Sequence, residues 1–117
     1  MVRLGALRAT VLDARRGEVY GAVYDAQLDP VIPETVMSFE SWLKTIPARD
    51  VEFISIDFTP FRNSTPPEIP VVTAPRALAG AIGRIAWNRF QAGQACNPGD
   101  VDANYVRRSD AELFWRE

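Results

Sequence analysis

The sequence predicts an α/β fold built on a mixed β-sheet, and three observations carry that expectation. Residues 7 to 14 and 18 to 25 are rich in β-branched and aromatic side chains and are separated by Arg15-Arg16-Gly17, the signal of a β-hairpin. Residues 51 to 58 (Val-Glu-Phe-Ile-Ser-Ile-Asp-Phe) have the dense apolar content of a strand covered on both faces. Between residues 73 and 93, Leu78, Ile82, Ile85, Ala86 and Phe90 recur at helical spacing.

Each element has a local reason. In the second strand Tyr20, Ala22 and Tyr24 fall on one face and Val19, Gly21 and Val23 on the other, the period of a pleated strand. Gly21 marks a bulge or a close packing contact. A short third strand is expected around Thr35-Val36-Met37, with Pro33 at its start or on a sheet edge. Ser38 is an N-cap for a two-turn helix, residues 39 to 46, whose Phe39, Trp42, Leu43 and Ile46 share a stripe. Pro47 stops it. The 51 to 58 run is the candidate central strand, with Glu52 an exception at the edge of the core. Residues 59 to 70 hold four prolines and are expected to be a surface loop with neither helix nor inner strand.

The longest helix is expected to begin near Thr73-Ala-Pro75 and end at Gly93. Its apolar stripe would be the buried face, and Ala77, Gly80, Ala81 and Gly83 a slim side that another element approaches closely. Two glycines inside a helix cost about 1 kcal/mol each relative to alanine, which close packing would offset. Asn97-Pro-Gly-Asp100 reads as a turn, followed by an irregular 101 to 108 and a short amphipathic 110 to 117. The order strand, strand, strand, helix, strand, helix is the repeat unit of the ribonuclease-H-like fold found in actin, Hsp70 and sugar kinases.

Composition narrows the chemistry. The 117 residues suffice for one domain, burying roughly two-thirds of the unfolded surface. Apolar residues make up 47% and charged residues 24%, values that argue against wholesale disorder. No apolar run approaches the ~20 residues of a membrane span, and no leader pattern opens the chain, so a cytoplasmic protein is expected. Thirteen basic against fifteen acidic residues provide no bulk attraction to phosphate backbones, which makes direct tRNA or other nucleic-acid contact an unfavoured reading. The chain contains no histidine, which removes Ser/His and Cys/His relays and His-ligated zinc. Cys96 is alone and reads as a plain thiol. Gly80-Ala-Ile-Gly83 matches a nucleotide-clamping Gly-x-x-Gly only superficially, because it lies within the helical pattern.

The string Asp13-Ala14-Arg15-Arg16-Gly17-Glu18-Val19-Tyr20, continuing into Gly21-Ala22-Val23-Tyr24, resembles the Asp-Ala-Arg-x-Gly-Glu-Val-Tyr signature of the TsaB family. Nearer the end, Ala103-Asn104-Tyr105-Val106-Arg107 resembles that family's Pro-x-Tyr-Leu-Arg element, with Ala103 in place of proline and Val106 in place of leucine. The resemblance covers the family's C-terminal lobe and implies a single domain over residues 1–117. The N-terminal lobe's Ile-Asp-Thr strand and Gly-Pro-Gly-Ser-Phe-Thr-Gly turn do not occur in this sequence, so the resemblance makes Met1 the start of a truncated reading frame or an artificial start. Asp57-Phe-Thr-Pro-Phe61 departs from the Gly-rich turn that relatives tend to have after this strand.

The resemblance implies a non-catalytic protein in tRNA threonylcarbamoyladenosine synthesis, with no cofactor and no metal. Its implied partners are a TsaD-like catalytic paralogue and a TsaE-like ATPase, met mostly through the other lobe. An isolated lobe would leave an apolar surface that favours a homo-oligomer, for which Ala77, Gly80, Ala81 and Gly83 are the expected contact. Two other readings stand beside this one. Asp13, Glu18 and Asp57, with Glu40 on the first helix, could form the two-magnesium site of a free-standing nuclease, although carboxylates flanking Arg15 and Arg16 equally suit a structural turn. The chain could also be a self-associating module of another role. Of the aromatic residues, Phe61 and Trp115 are expected to be exposed, and Trp42, Trp87 and Phe58 to pack in the core. Arg107, Arg108 and Arg116 read as a solvated tail or lobe-lobe salt bridges.

Overall fold

Strand β1 (Leu7–Arg15) pairs antiparallel with β2 (Glu18–Tyr24), so the alternating segment closes into the expected hairpin. The computed structural model describes residues 6–47 and 50–100. Arg16 and Gly17 form the two-residue connection, with φ of 56° and 74°, and Arg15 just before them has φ of 66°. Positive φ at both central residues is what a type I′ hairpin turn requires. The pairing register shifts between Asp13 and Arg15, a bulge that takes up the extra residue.

Asp25 organises the next turn. Its Oδ1 accepts the backbone N–H groups of Gln27 and Asp29, each at 2.9 Å, which holds Leu28 at φ 66° and reverses the chain into β3 (Pro30–Ser38). β3 is antiparallel to β2 and is one of the two outer strands of the sheet. It is longer than the sequence suggests, and Pro33 lies inside it. An outer strand tolerates this because one of its edges has no ladder to complete.

Helix α1 (Phe39–Thr45) starts where Ser38 predicts, with the Ser38 hydroxyl accepting the Ser41 N–H at 3.2 Å. The chain then enters β4 (Val51–Ser55), parallel to β1, and later β5 (Val71–Thr73), parallel to β4. The sheet order is β3-β2-β1-β4-β5, five strands with an antiparallel half and a parallel half.

The core of this unit lies between α1 and one face of the sheet. Leu7, Ala9 and Val11 of β1, Val19 and Val23 of β2, and Phe53 of β4 point at Phe39 and Trp42. Trp42 and Phe53 are fully buried, and burying a large apolar side chain contributes about 1.5–3 kcal/mol. At Gly21 the Trp42 indole ring lies close against the strand backbone. Phe58 and Phe61 complete the aromatic cluster, with Phe39 stacked on Phe61 at 4.9 Å and Phe53 on Phe58 at 5.3 Å between centroids.

Several expectations need correction. The 59 to 70 segment is not plain loop: Thr59–Ser64 is a 3₁₀ helix opened by Pro60, and β5 follows the segment directly. A proline obstructs a helix interior but suits its first turn. Phe61 is consequently buried at 6% exposure rather than lying at the surface. The 51 to 58 run forms a strand only as far as Ser55, an inner strand between β1 and β5. Glu52 is 2% exposed, fully within the unit, next in register to Arg8.

The described residues divide into two compact units, 6–74 and 75–100. The second contains α2 (Ala79–Gln91) and a 3₁₀ turn at Pro98–Asp100, where the turn was expected. α2 begins four to six residues after the expected start. It ends close to Gly93, whose φ of 76° closes the helix. None of its residues is buried. The expected buried face is exposed instead, with Ile82 at 63%, Ile85 at 52% and Phe90 at 62%, and Trp87, expected in a core, is 58% exposed. Helical periodicity reveals that a helix has an apolar side but not what covers it.

Candidate functional site

The Asp13–Tyr20 segment falls on the β1–β2 hairpin, and the pleat sorts its residues into two classes. Ala14 and Val19 are buried at 4% and 1% and secure the hairpin to the unit. Asp13, Arg15, Arg16 and Gly17 are exposed at the tip, Tyr20 is 37% exposed, and Glu18 is half-buried. Asp13 Oδ1 accepts the Arg15 backbone N–H at 2.9 Å, so this carboxylate caps the turn. Arg15 and Glu18 face each other across the ladder. The tip therefore carries guanidinium groups beside carboxylates on a two-strand support.

Of the carboxylates considered for metal binding, Asp13 and Asp57 cap local turns. Asp57 Oδ1 accepts the Thr59 N–H at 3.0 Å at the start of the 3₁₀ helix, and Glu40 sits in the first turn of α1. Among the described residues no group of three or more His, Cys, Asp or Glu side chains is placed to hold a metal ion. Across the β2–β3 pair, the Tyr24 hydroxyl donates to Glu34 Oε1 at 3.4 Å. Burial pushes the Tyr24 phenol above its ordinary value of 10.0, and the neighbouring Glu34 charge and hydrogen bond add to the rise.

Ala77, Gly80, Ala81 and Gly83 are all exposed, and Ala77 precedes α2. They do not form one side: residues two apart, such as Ala81 and Gly83, point to nearly opposite faces of a helix. Tyr105 and Arg107, with Trp115 and the other arginines of the tail, lie outside the described residues.

Two features were not anticipated. In the 6–74 unit, Leu43, Ile46 and Pro47 at the end of α1 join Val51, Phe53 and Ile69 around an open cleft of about 300 Å³, with Asp50 and Glu68 also lining it. Its sequence signal is faint, a single apolar Ile69 among prolines. In the 75–100 unit, Trp87 and Phe90 stack on each other at 5.8 Å with 19° between ring planes. Arg84 and Arg89 lie on either side of that pair around α2.

No protein-family model matches the chain, and no curated protein matches it. No described helix is long and apolar enough to cross a membrane.

Proposed function

We propose that this chain is a non-catalytic, protein-binding lobe of the tRNA threonylcarbamoyladenosine-synthesis machinery, similar to the C-terminal lobe of TsaB. The observation that carries the reading is the Asp13–Tyr20 hairpin: the residues that match the family signature are those that make a rigid, exposed tip, with Ala14 and Val19 as its buried anchors. The sheet order β3-β2-β1-β4-β5, antiparallel on one side of β1 and parallel on the other, supports a ribonuclease-H-like fold for this lobe. In this reading the chain acts by contact with a TsaD-like catalytic paralogue, with a TsaE-like ATPase as a further member of the complex.

The test is co-expression of the tagged full chain with TsaD-like and TsaE-like proteins of the same source. The TsaD-like protein is expected to co-purify in stoichiometric amount, and reversing the tip charge with Arg15→Glu and Arg16→Glu is expected to weaken that retention. A TsaD-like protein that is never retained overturns the proposal.

A further inference from the structure

We infer that the aromatic edge of α2 in one copy of this chain docks into the Leu43/Ile69 cleft of a second copy. This goes beyond the role above and does not depend on it. Three observations on separate parts of the molecule converge on a second copy as the occupant.

The first is the state of α2. It is 13 residues long with no buried residue, and helices of that length are marginal in water without packing. An apolar set this exposed finds a partner. The second is size. At about 300 Å³ the cleft is at the small end of ligand sites, which run from ~300 to 1,000 Å³. It has room for one or two large side chains, and an aromatic residue seated in a pocket is the usual anchor of a protein interface. Trp87 and Phe90, already held against each other, are such an anchor.

The third is charge. Residues 75–100 contain Arg76, Arg84 and Arg89 against one acidic residue, Asp100, whereas residues 6–74 contain ten acidic and six basic residues. Arg84 and Arg89 flank the aromatic pair, and Asp50 and Glu68 line the cleft. An anionic membrane or a nucleic acid would match the arginines and aromatics of α2 but would leave the acid-lined cleft unused. A second copy uses both. Because each chain carries both halves, a two-fold pair makes the contact twice, and the opposite charges steer the approach.

The experiment is sedimentation equilibrium of the full chain at micromolar concentration, with circular dichroism on every variant. Wild type is expected to dimerise. Glu68→Arg and Arg89→Glu, both at exposed positions, are each expected to weaken the dimer about tenfold or more, and the double variant to restore it. Ala81→Arg, about 180° round the helix from Phe90 at ~100° per residue, is expected to leave the dimer intact. Trp87→Ala is expected to abolish it with the circular dichroism of the 6–74 unit preserved. A wild-type monomer at high micromolar concentration overturns the inference. So does a dimer indifferent to Glu68→Arg and Arg89→Glu, a double variant that fails to recover, or a monomer that uses Trp87 to bind anionic vesicles or oligonucleotides.

Discussion

The indole of Trp42 occupies the space that a side chain at residue 21 would need: a Cβ on Gly21 would lie 2.6 Å from Trp42 Nε1. Trp42 is fully buried, its Nε1 has no hydrogen-bond partner among the described residues, and Phe39 and Phe53 both pack against it with centroids 6.1 Å away. The ring cannot retreat. Gly21→Ala is therefore expected to destabilise the 6–74 unit by about 1–3 kcal/mol through overpacking. Chemical denaturation followed by Trp fluorescence measures it, and an unchanged midpoint would show that the ring moves freely.

At the hairpin turn, Gly17→Val is expected to destabilise by about 1–3 kcal/mol, since a β-branched residue resists the φ of 74° found there. Asp13→Asn keeps a side-chain acceptor for the Arg15 N–H and is expected to have a much smaller effect. Arg16→Asn places Asn-Gly, the preferred type I′ pair, at the turn and is expected to raise the melting temperature. Thermal melts of the three variants side by side check the ranking, with Arg16→Asn above wild type and Gly17→Val below it.

Loss of the α1 cap is the next expected outcome. Ser38→Ala removes the acceptor for the Ser41 N–H and is expected to destabilise by about 0.5–2 kcal/mol. Ser38→Asp, which keeps an acceptor and adds negative charge at the helix start, is expected to recover most of it. Urea titration of the pair distinguishes a capping loss from a general surface effect.

Tyr24 predicts a pH dependence. Its folded-state value is raised above the unfolded value of 10.0, so the folded state holds the phenol proton more tightly. The contribution is fully present below pH 10 and is lost as the pH rises through the folded value. Stability is expected to fall faster with alkaline pH in wild type than in Tyr24→Phe. Equal slopes for the two proteins would remove Tyr24 from the account.

Gly80 on α2 has nothing within 4 Å of the position a Cβ would take. Gly80→Ala is expected to increase helicity, with a stabilisation of about 1 kcal/mol. Far-ultraviolet circular dichroism reads the change directly. A loss of helicity would mean that this position requires a bare backbone.

Much of the first unit was legible because its signals are local. Ser38 caps where its hydroxyl reaches the backbone three residues on, Gly17 turns where a positive φ is needed, and Gly21 and Val19 face inward by the alternation of a strand. The misses share a different cause. Phe61 and β5 lie around a proline-rich stretch whose local chemistry favours loop, and only contacts with Phe39 and with the parallel neighbour β4 decide their structure. The apolar stripe of α2 predicted a helix correctly but said nothing of its surroundings. The cleft was invisible for the same reason: Leu43, Val51 and Ile69 come from three separate segments, and no spacing in the chain links them. The hairpin tip, the one candidate surface built from consecutive residues, was legible from the outset.

The middle strand of the sheet has two neighbours that arrive at very different times. β1 meets β2 across a two-residue turn, so Asp13 and Val19 can pair almost as soon as both exist. Its other neighbour is distant: Leu7 pairs with Val51, and the intervening chain must first form β2, β3 and α1. Short loops close at little entropic cost, and long ones close late. The three-strand meander is thus the natural early structure, and β4 and then β5 extend it into the full sheet. Until then residues 7 to 10 have no parallel neighbour, and the unpaired edge of β1 is open to wrong pairing.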